Sequence, residues 1–269
     1  MSNNSFVLGL AQCCHPDQEG IEAVLALVDS WCSKAKKQHV DLLVFPESLM
    51  TRYEAERGDF IQSAQTLDGT FSSAMDSLAK QHELWLVYTM NEENSEAGKP
   101  FNTVVVVDDK GEKQGVYRKV HLFDTDFTKE SDRMCAGDAL FEPINTPFGK
   151  IGLGICYDLR FPEVARFEAL KGCDVLIYPA AWVEGRLKAN QWKTLLAARA
   201  IENEIFVAGL SRVDEGYIGQ SAIVSPEGVL LASGGQREAL VSATIELREK
   251  EIVRSAMPLF SHRRPELYD

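Results

Sequence analysis

The stretch KIGLGICYDLRFPEVARFEALKGCDVLIYPAAW, residues 150–182, decides the fold class. KIGLGICYD (150–158) is an apolar run with the composition of a buried strand. FPEVARFEALKGC (161–173) opens on a proline suited to a first helical turn and closes at a glycine, so it reads as a helix. DVLIYPAAW (174–182) is again a strand, and strands separated by helices predict an α/β architecture.

The same alternation runs outward in both directions. Towards the N-terminus, FVLGLAQC (6–13) and DLLVFPES (41–48) read as buried strands flanking an amphipathic helix, IEAVLALVDSWCSKAKK (21–37). FSSAMDSLAKQHE (71–83) is a helix and LWLVYTMNE (84–92) a strand. FNTVVVVDDKGEKQGVYRKVH (101–121) holds an Asp-Asp-Lys-Gly turn between β-rich runs, the mark of a hairpin. Towards the C-terminus, NQWKTLLAARAIENE (190–204) places Trp192, Leu195, Leu196 and Ala200 near one helical face, and EIFVAGLSRV (204–213) begins a strand. SAIVSPEGVLLAS (221–233) is a second hairpin, around Pro226, Glu227 and Gly228, and PLFSHRRPELYD (258–269) is a polar tail outside the core. With no repeat, low-complexity tract or linker, residues 1–269 are expected to form a single domain.

Composition excludes several classes. A net charge of −12 over 269 residues disfavours a phosphate-binding track, so no nucleic-acid partner is expected. The opening MSNNSFVLGL lacks the basic segment and long apolar run of a secretory leader, and no later stretch has the length of a membrane span; a soluble, cytoplasmic protein is expected. The six cysteines form no Cys-x-x-Cys pair and no disulfide framework. The histidines at 15, 39, 82, 121 and 262 lack ligand spacing, so neither metal nor cofactor is expected.

Three predicted strands end on a polar residue that packing does not call for. Glu47 follows LLVFP, Lys119 follows GVYR, and Cys156 follows IGLGI. In α/β sheets functional groups gather at the carboxyl ends of strands. A thiol needs a base to become a thiolate, and a carboxylate can serve. Attack on an amide carbon develops an oxyanion, which an ammonium and a backbone N–H stabilise. Cys156 just precedes FPEVARF, at a strand-to-helix turn where free N–H groups favour negative charge. No Gly-x-Ser-x-Gly elbow supports a serine hydrolase. A non-catalytic binding module would call for the loss of Glu47, Lys119 or Cys156, and all are present.

With LLVFPES around Glu47, YRKVHLFD around Lys119 and GLGICYDLRFPE around Cys156, the chain resembles the nitrilase, or carbon-nitrogen hydrolase, superfamily. YPAAW and QWKTLLAARAIEN extend the resemblance downstream. It implies a four-layer αββα sandwich, a homodimer or higher homo-oligomer, and a C-terminal tail, residues 258–269, at a subunit interface. It implies Cys156 as nucleophile, Glu47 as base, Lys119 as oxyanion cation and the backbone N–H of Tyr157 as second donor. Glu130 matches a further glutamate of the family, with Glu142 a nearby competitor. Asp158 and Arg160 are expected to hold the turn by ion pairing, and His121 to be structural.

KVHLFD, CYDLRFPE and ARAIEN most resemble the ω-amidase branch, which hydrolyses the terminal amide of small dicarboxylate monoamides such as 2-oxoglutaramate. The expected partners are therefore a small-molecule amide and water. A carboxylate-bearing substrate needs a cation; Arg186 is the candidate, Lys188 the second choice, and Trp182 a further substrate-binding residue. The alternatives are an aliphatic amidase, a deaminated glutathione amidase, an N-carbamoyl amino acid hydrolase or a nitrilase.

Overall fold

In the computed structural model, which describes residues 5–16, 20–51, 57–96, 98–126 and 128–268, the apolar runs form two six-stranded sheets. The first half of the chain contributes β1 (Ser5–Gln12), α1 (Ile21–Lys37), β2 (Leu42–Val44), α2 (Arg57–Ser63), α3 (Thr70–His82), β3 (Trp85–Glu92), β4 (Phe101–Val107) and β5 (Lys113–Arg118). The second half contributes β6 (Ile144–Thr146), β7 (Gly149–Leu153), α4 (Pro162–Leu170), β8 (Val175–Ala180), α5 (Lys188–Asn203), β9 (Phe206–Ser211), β10 (Ala222–Val224), β11 (Leu230–Ser233), β12 (Ala239–Glu246), α6 (Arg248–Ala256) and α7 (Leu259–His262).

One sheet has the order β12-β1-β2-β3-β4-β5 and the other β11-β10-β9-β8-β7-β6. β1, β2 and β3 are parallel, as are β7, β8 and β9, while the outer strands pair antiparallel. Every residue of β3 is buried, because both faces of its sheet are covered. Trp85 and Val87 face the core between the sheets, whereas Leu86 and Tyr88 join the core beneath α1 and α3. The other sheet packs outward on Ala165, Trp192, Leu196 and Ala200 of α4 and α5. These are the four layers of an αββα sandwich. Each fully buried aliphatic or aromatic side chain contributes roughly 1.5–3 kcal/mol, so the two interleaved cores hold the layers together.

Differences from the sequence reading are local. The strand expected over 150–158 stops at Leu153, and Cys156–Arg160 form a tight 3₁₀ turn. The tail is not featureless: it carries α7 and a 3₁₀ turn at Pro265–Leu267, with no buried residue. β12 and α6 carried too weak a pattern to be read, since only Val241 and Ile245 of β12 are buried and no residue of α6 is.

Candidate active site

The two sheets bring their strand ends to one place. β5 is antiparallel to β4, which is antiparallel to β3, so β5 runs with β3 and Lys119 emerges at the same edge as Glu47 beyond β2. From the other sheet, Cys156 follows β7 and Ala181 follows β8. The Ala181 N–H donates to Glu47 Oε2 at 2.8 Å, joining the two edges.

Each reactive side chain is fixed by its own loop. The Glu47 loop is tied by Thr89, whose hydroxyl donates to the Pro46 carbonyl at 2.9 Å and accepts from the Leu49 N–H at 3.2 Å. Lys119 is anchored through its N–H to the Asn102 carbonyl, 2.9 Å away. Cys156 has φ 45, the left-handed region, at a cost of about 1–3 kcal/mol for a non-glycine residue. The chain reaches that turn through two close approaches: a Cβ on Gly152 would lie 1.9 Å from Glu168 Oε2, and one on Gly154 would lie 2.4 Å from the Tyr178 ring. Only glycine fits at either position.

The centre is a buried charge network. Lys119 Nζ donates to Glu47 Oε1 at 2.8 Å and to Glu130 Oε2 and Oε1 at 2.8 and 3.1 Å. Asn102 Nδ2 donates to Glu47 Oε1 at 2.8 Å and Glu130 Oε1 at 3.2 Å. The Phe123 N–H caps Glu130 Oε2 at 2.7 Å. Glu47, Lys119 and Glu130 are each at most 2 % exposed. Glu142 lies apart on the surface, paired with Lys171 at 2.9 Å, so Glu130 is the glutamate that the fold brings to this centre.

The electrostatics assign protonation states. Burial pushes the Cys156 thiol well above its ordinary range, the Glu47 carboxylate adds to this, and Lys119 only partly opposes it. The resting sulfur is therefore a thiol hydrogen-bonded to Glu47. Burial alone would raise Glu47, but the Lys119 ammonium and the Ala181 N–H outweigh it and hold the carboxyl below its usual range. Burial likewise works against the Lys119 ammonium, yet Glu130 and Glu47 keep it charged well beyond the ordinary lysine range. A protonated thiol beside an ionised carboxylate is the ground state of a base-assisted nucleophile.

Cys156, Glu47 and Lys119 open onto a cavity walled by Tyr157, Phe123, Trp182, Val183, Arg160 and Lys188. Tyr157 sits in the first turn after Cys156, where amides lack an intrahelical partner. Trp182 is in the wall as expected from the sequence. Arg186 is not: it lies in the exposed loop before α5, and the wall instead holds Lys188, the first residue of that helix, and Arg160. Arg160 also departs from expectation. Rather than pairing with Asp158, it lies 4.7 Å over the Trp182 ring and donates to Gln191 Oε1 at 2.9 Å. Burial and the nearby Arg160 charge lower the Lys188 pKa. Asn102 is a site residue that the sequence does not announce, and Arg160 is one to which the sequence assigns a different role. The one signal for Asn102 was a polar residue inside the apolar run FNTVVVV. Among the described residues no cluster of three or more His, Cys, Asp or Glu is placed to hold a metal ion. No helix among them is long and apolar enough to cross a membrane.

This sandwich, with a buried cysteine, lysine and two glutamates at the meeting of its sheet edges, defines a class of hydrolase. The carbon-nitrogen hydrolase family model matches residues 8–254, and the chain belongs to that family, a hydrolase of non-peptide carbon–nitrogen bonds within the nitrilase superfamily. It is 34% identical over 235 residues to the deaminated glutathione amidase of Escherichia coli O157:H7, covering 87% of this chain and 89% of the relative. It is also 34% identical over 249 residues to omega-amidase NIT2 of Homo sapiens, covering 89% and 88%. The crystal structure of a carbon-nitrogen hydrolase from Helicobacter pylori G27 superposes with a TM-score of 0.89 at 28% identity, covering 98% of this chain and 97% of that one.

Proposed function

We propose that the protein hydrolyses the ω-amide of small dicarboxylate monoamides such as 2-oxoglutaramate, through a thioester on Cys156. Glu47 takes the thiol proton as Sγ bonds to the amide carbon. The oxyanion is met by Lys119 Nζ and the Tyr157 N–H. Lys119 has three N–H donors and only two carboxylate partners, so one donor can turn to the oxyanion without abandoning either. Glu47 returns its proton to the leaving nitrogen, ammonia departs, and Glu47 then activates water to cleave the thioester. Glu130 holds Lys119 in place.

The observation that carries the substrate class is the pairing of Arg160 and Lys188 in the cavity wall. Two cations in the wall of the cavity that Cys156 lines, each over an aromatic ring, suit a carboxylate at the far end of the substrate. Leu267 and Tyr268, exposed and apolar on the tail, support the association of protomers.

The test is ammonia release from a panel of 2-oxoglutaramate, 2-oxosuccinamate, glutamine, deaminated glutathione, an aliphatic amide, a nitrile and an N-carbamoyl amino acid, with Cys156→Ala as control. Fast turnover of the short oxo-acid amides, abolished in the variant, is expected. Preference for deaminated glutathione or a neutral amide would overturn the substrate. Turnover retained by Cys156→Ala would overturn the nucleophile.

A further inference from the structure

Lys119 stands midway between two side chains that grip one carboxyl group. Tyr117 Oη donates to Asp158 Oδ2 at 2.8 Å, and His121 Nδ1 lies 2.8 Å from Asp158 Oδ1, with the proton placed on Nδ1 so that it donates. The His121 N–H reaches the same Oδ1 at 3.3 Å. Asp158 Oδ2 also accepts the Ile155 N–H at 2.8 Å. Asp158 is fully buried two residues after Cys156, and the His121 ring is fixed by stacking on Phe161, with centroids 3.7 Å apart and planes 8° apart.

Lys119 and Cys156 belong to different sheets, and their relative position is not set by any shared strand pairing. The segment 117–121 and the turn 155–158 nevertheless meet at Asp158, from both sides of Lys119. We propose that Tyr117, His121 and Asp158 form a clamp that holds Lys119 in register with Cys156, and that the three are positioning residues for the hydrolysis.

This rests on the reading of Cys156 and Lys119 as nucleophile and oxyanion cation. None of the three clamp residues is in the wall of the cavity that Cys156 lines. Their effect is geometric. A displacement of about 1 Å at a reacting centre costs on the order of a hundredfold in rate, which is the scale available to a loosened clamp. Tyr117 and His121 act through the same carboxyl group, so losing one leaves Asp158 partly held.

The experiment compares Tyr117→Phe, His121→Ala and His121→Asn in the full-length protein. It reads kcat and KM for the best amide, Tm, and the rate at which iodoacetamide alkylates Cys156, followed by mass spectrometry of the Cys156 peptide. For His121→Ala kcat should fall about tenfold to a hundredfold with KM changed less than about threefold. His121→Asn, whose side-chain N–H can occupy the Nδ1 position, should recover kcat to within about threefold of wild type. Tyr117→Phe should fall between, and Cys156 alkylation should slow in the same order. Wild-type kcat and alkylation in both His121→Ala and Tyr117→Phe would overturn the clamp. A kcat loss that His121→Asn does not restore and that tracks a drop in Tm would make the residues merely structural, and an effect confined to KM would make them substrate contacts; either also overturns it. Alkylation needs no amide, so silence of the wild type on every amide would refute the hydrolase reading while the ordered alkylation rates still judged the clamp.

Discussion

Replacing Lys119 by methionine, a side chain of similar length without charge, tests the buried network at its centre. In the native protein one ammonium lies 2.8 Å from a carboxylate oxygen of each of Glu47 and Glu130, and Asn102 bridges the same two groups. Without the lysine two carboxylates share a water-poor site with Asn102, the Ala181 N–H, the Phe123 N–H and the Cys156 thiol as donors, and no positive charge among them. Removing one partner from a buried ion pair typically costs about 3–5 kcal/mol. One carboxyl should respond by taking up a proton, its folded-state pKa rising above the unfolded value. The sign then follows from linkage. A raised carboxyl pKa gives stability that is present below the ordinary glutamate range and is lost as pH rises through the new value. In the native protein Glu47 is held low, so its contribution is present above that range and is lost as pH falls through the depressed value. The deficit of Lys119→Met should thus be largest near pH ~8 and shrink towards pH ~5, by at most about 1.4 kcal/mol per pH unit for one proton. Urea unfolding across that range measures it, with ammonia release expected to fall by at least about a hundredfold. A deficit independent of pH would refute the shared-proton argument, and near-native turnover would refute the role of Lys119.

Asn102→Leu should leave the fold intact by circular dichroism and cost about 1–3 kcal/mol of stability, because both carboxylates lose a buried donor; an unchanged urea midpoint would remove Asn102 from the network. Arg160→Ala should raise KM for carboxylate-bearing amides alone, while Arg186→Ala, altering an exposed loop, should leave all kinetic constants within error. Equal KM changes on neutral amides would rule out a carboxylate anchor at Arg160. Glu168 is fully buried behind β7, and burial pushes its carboxyl well above the usual range, so its proton stabilises the fold below the ordinary glutamate range and that stabilisation is lost as pH rises towards the raised value. Glu168→Gln should abolish this decline between pH ~5 and ~8, and identical pH dependence of Tm in variant and wild type would show that Glu168 does not titrate there.

Much of this was legible in the sequence because strand ends carry their own signal. Glu47, Lys119 and Cys156 each follow an apolar run and are polar where packing asks for nothing polar, and the fold brings all three together. Asn102 gave no such signal, since it lies inside β4 and its role depends on which strands flank it. Side-chain chemistry alone favours Arg186 over Lys188 as the carboxylate partner. The backbone decided otherwise: Gly185 and Leu187 both have positive φ, and the loop leaves Arg186 in solvent before α5 starts at Lys188. Arg160 looked like the partner of Asp158 because the two are adjacent but one. Asp158 is instead satisfied by Tyr117, His121 and Ile155, contacts set by the first sheet and by a turn of positive φ that no local pattern announces.

The division of the reactive groups between the two sheets bears on how the protein is made. Glu47 and Lys119 belong to the sheet built mainly from the first half of the chain, whereas Cys156 and Ala181 belong to the other, and one edge strand of the first sheet, β12, comes from near the C-terminus. A nascent chain in which β1–β5 alone have paired brings Glu47 and Lys119 together before Cys156 is in place, and the first sheet is complete only when β12 joins it. A partly folded species with the second sheet alone carries Cys156 without Glu47 and Lys119 beside it. On the proposed mechanism turnover needs both sheets docked, so regain of activity during refolding should lag behind the recovery of β-structure.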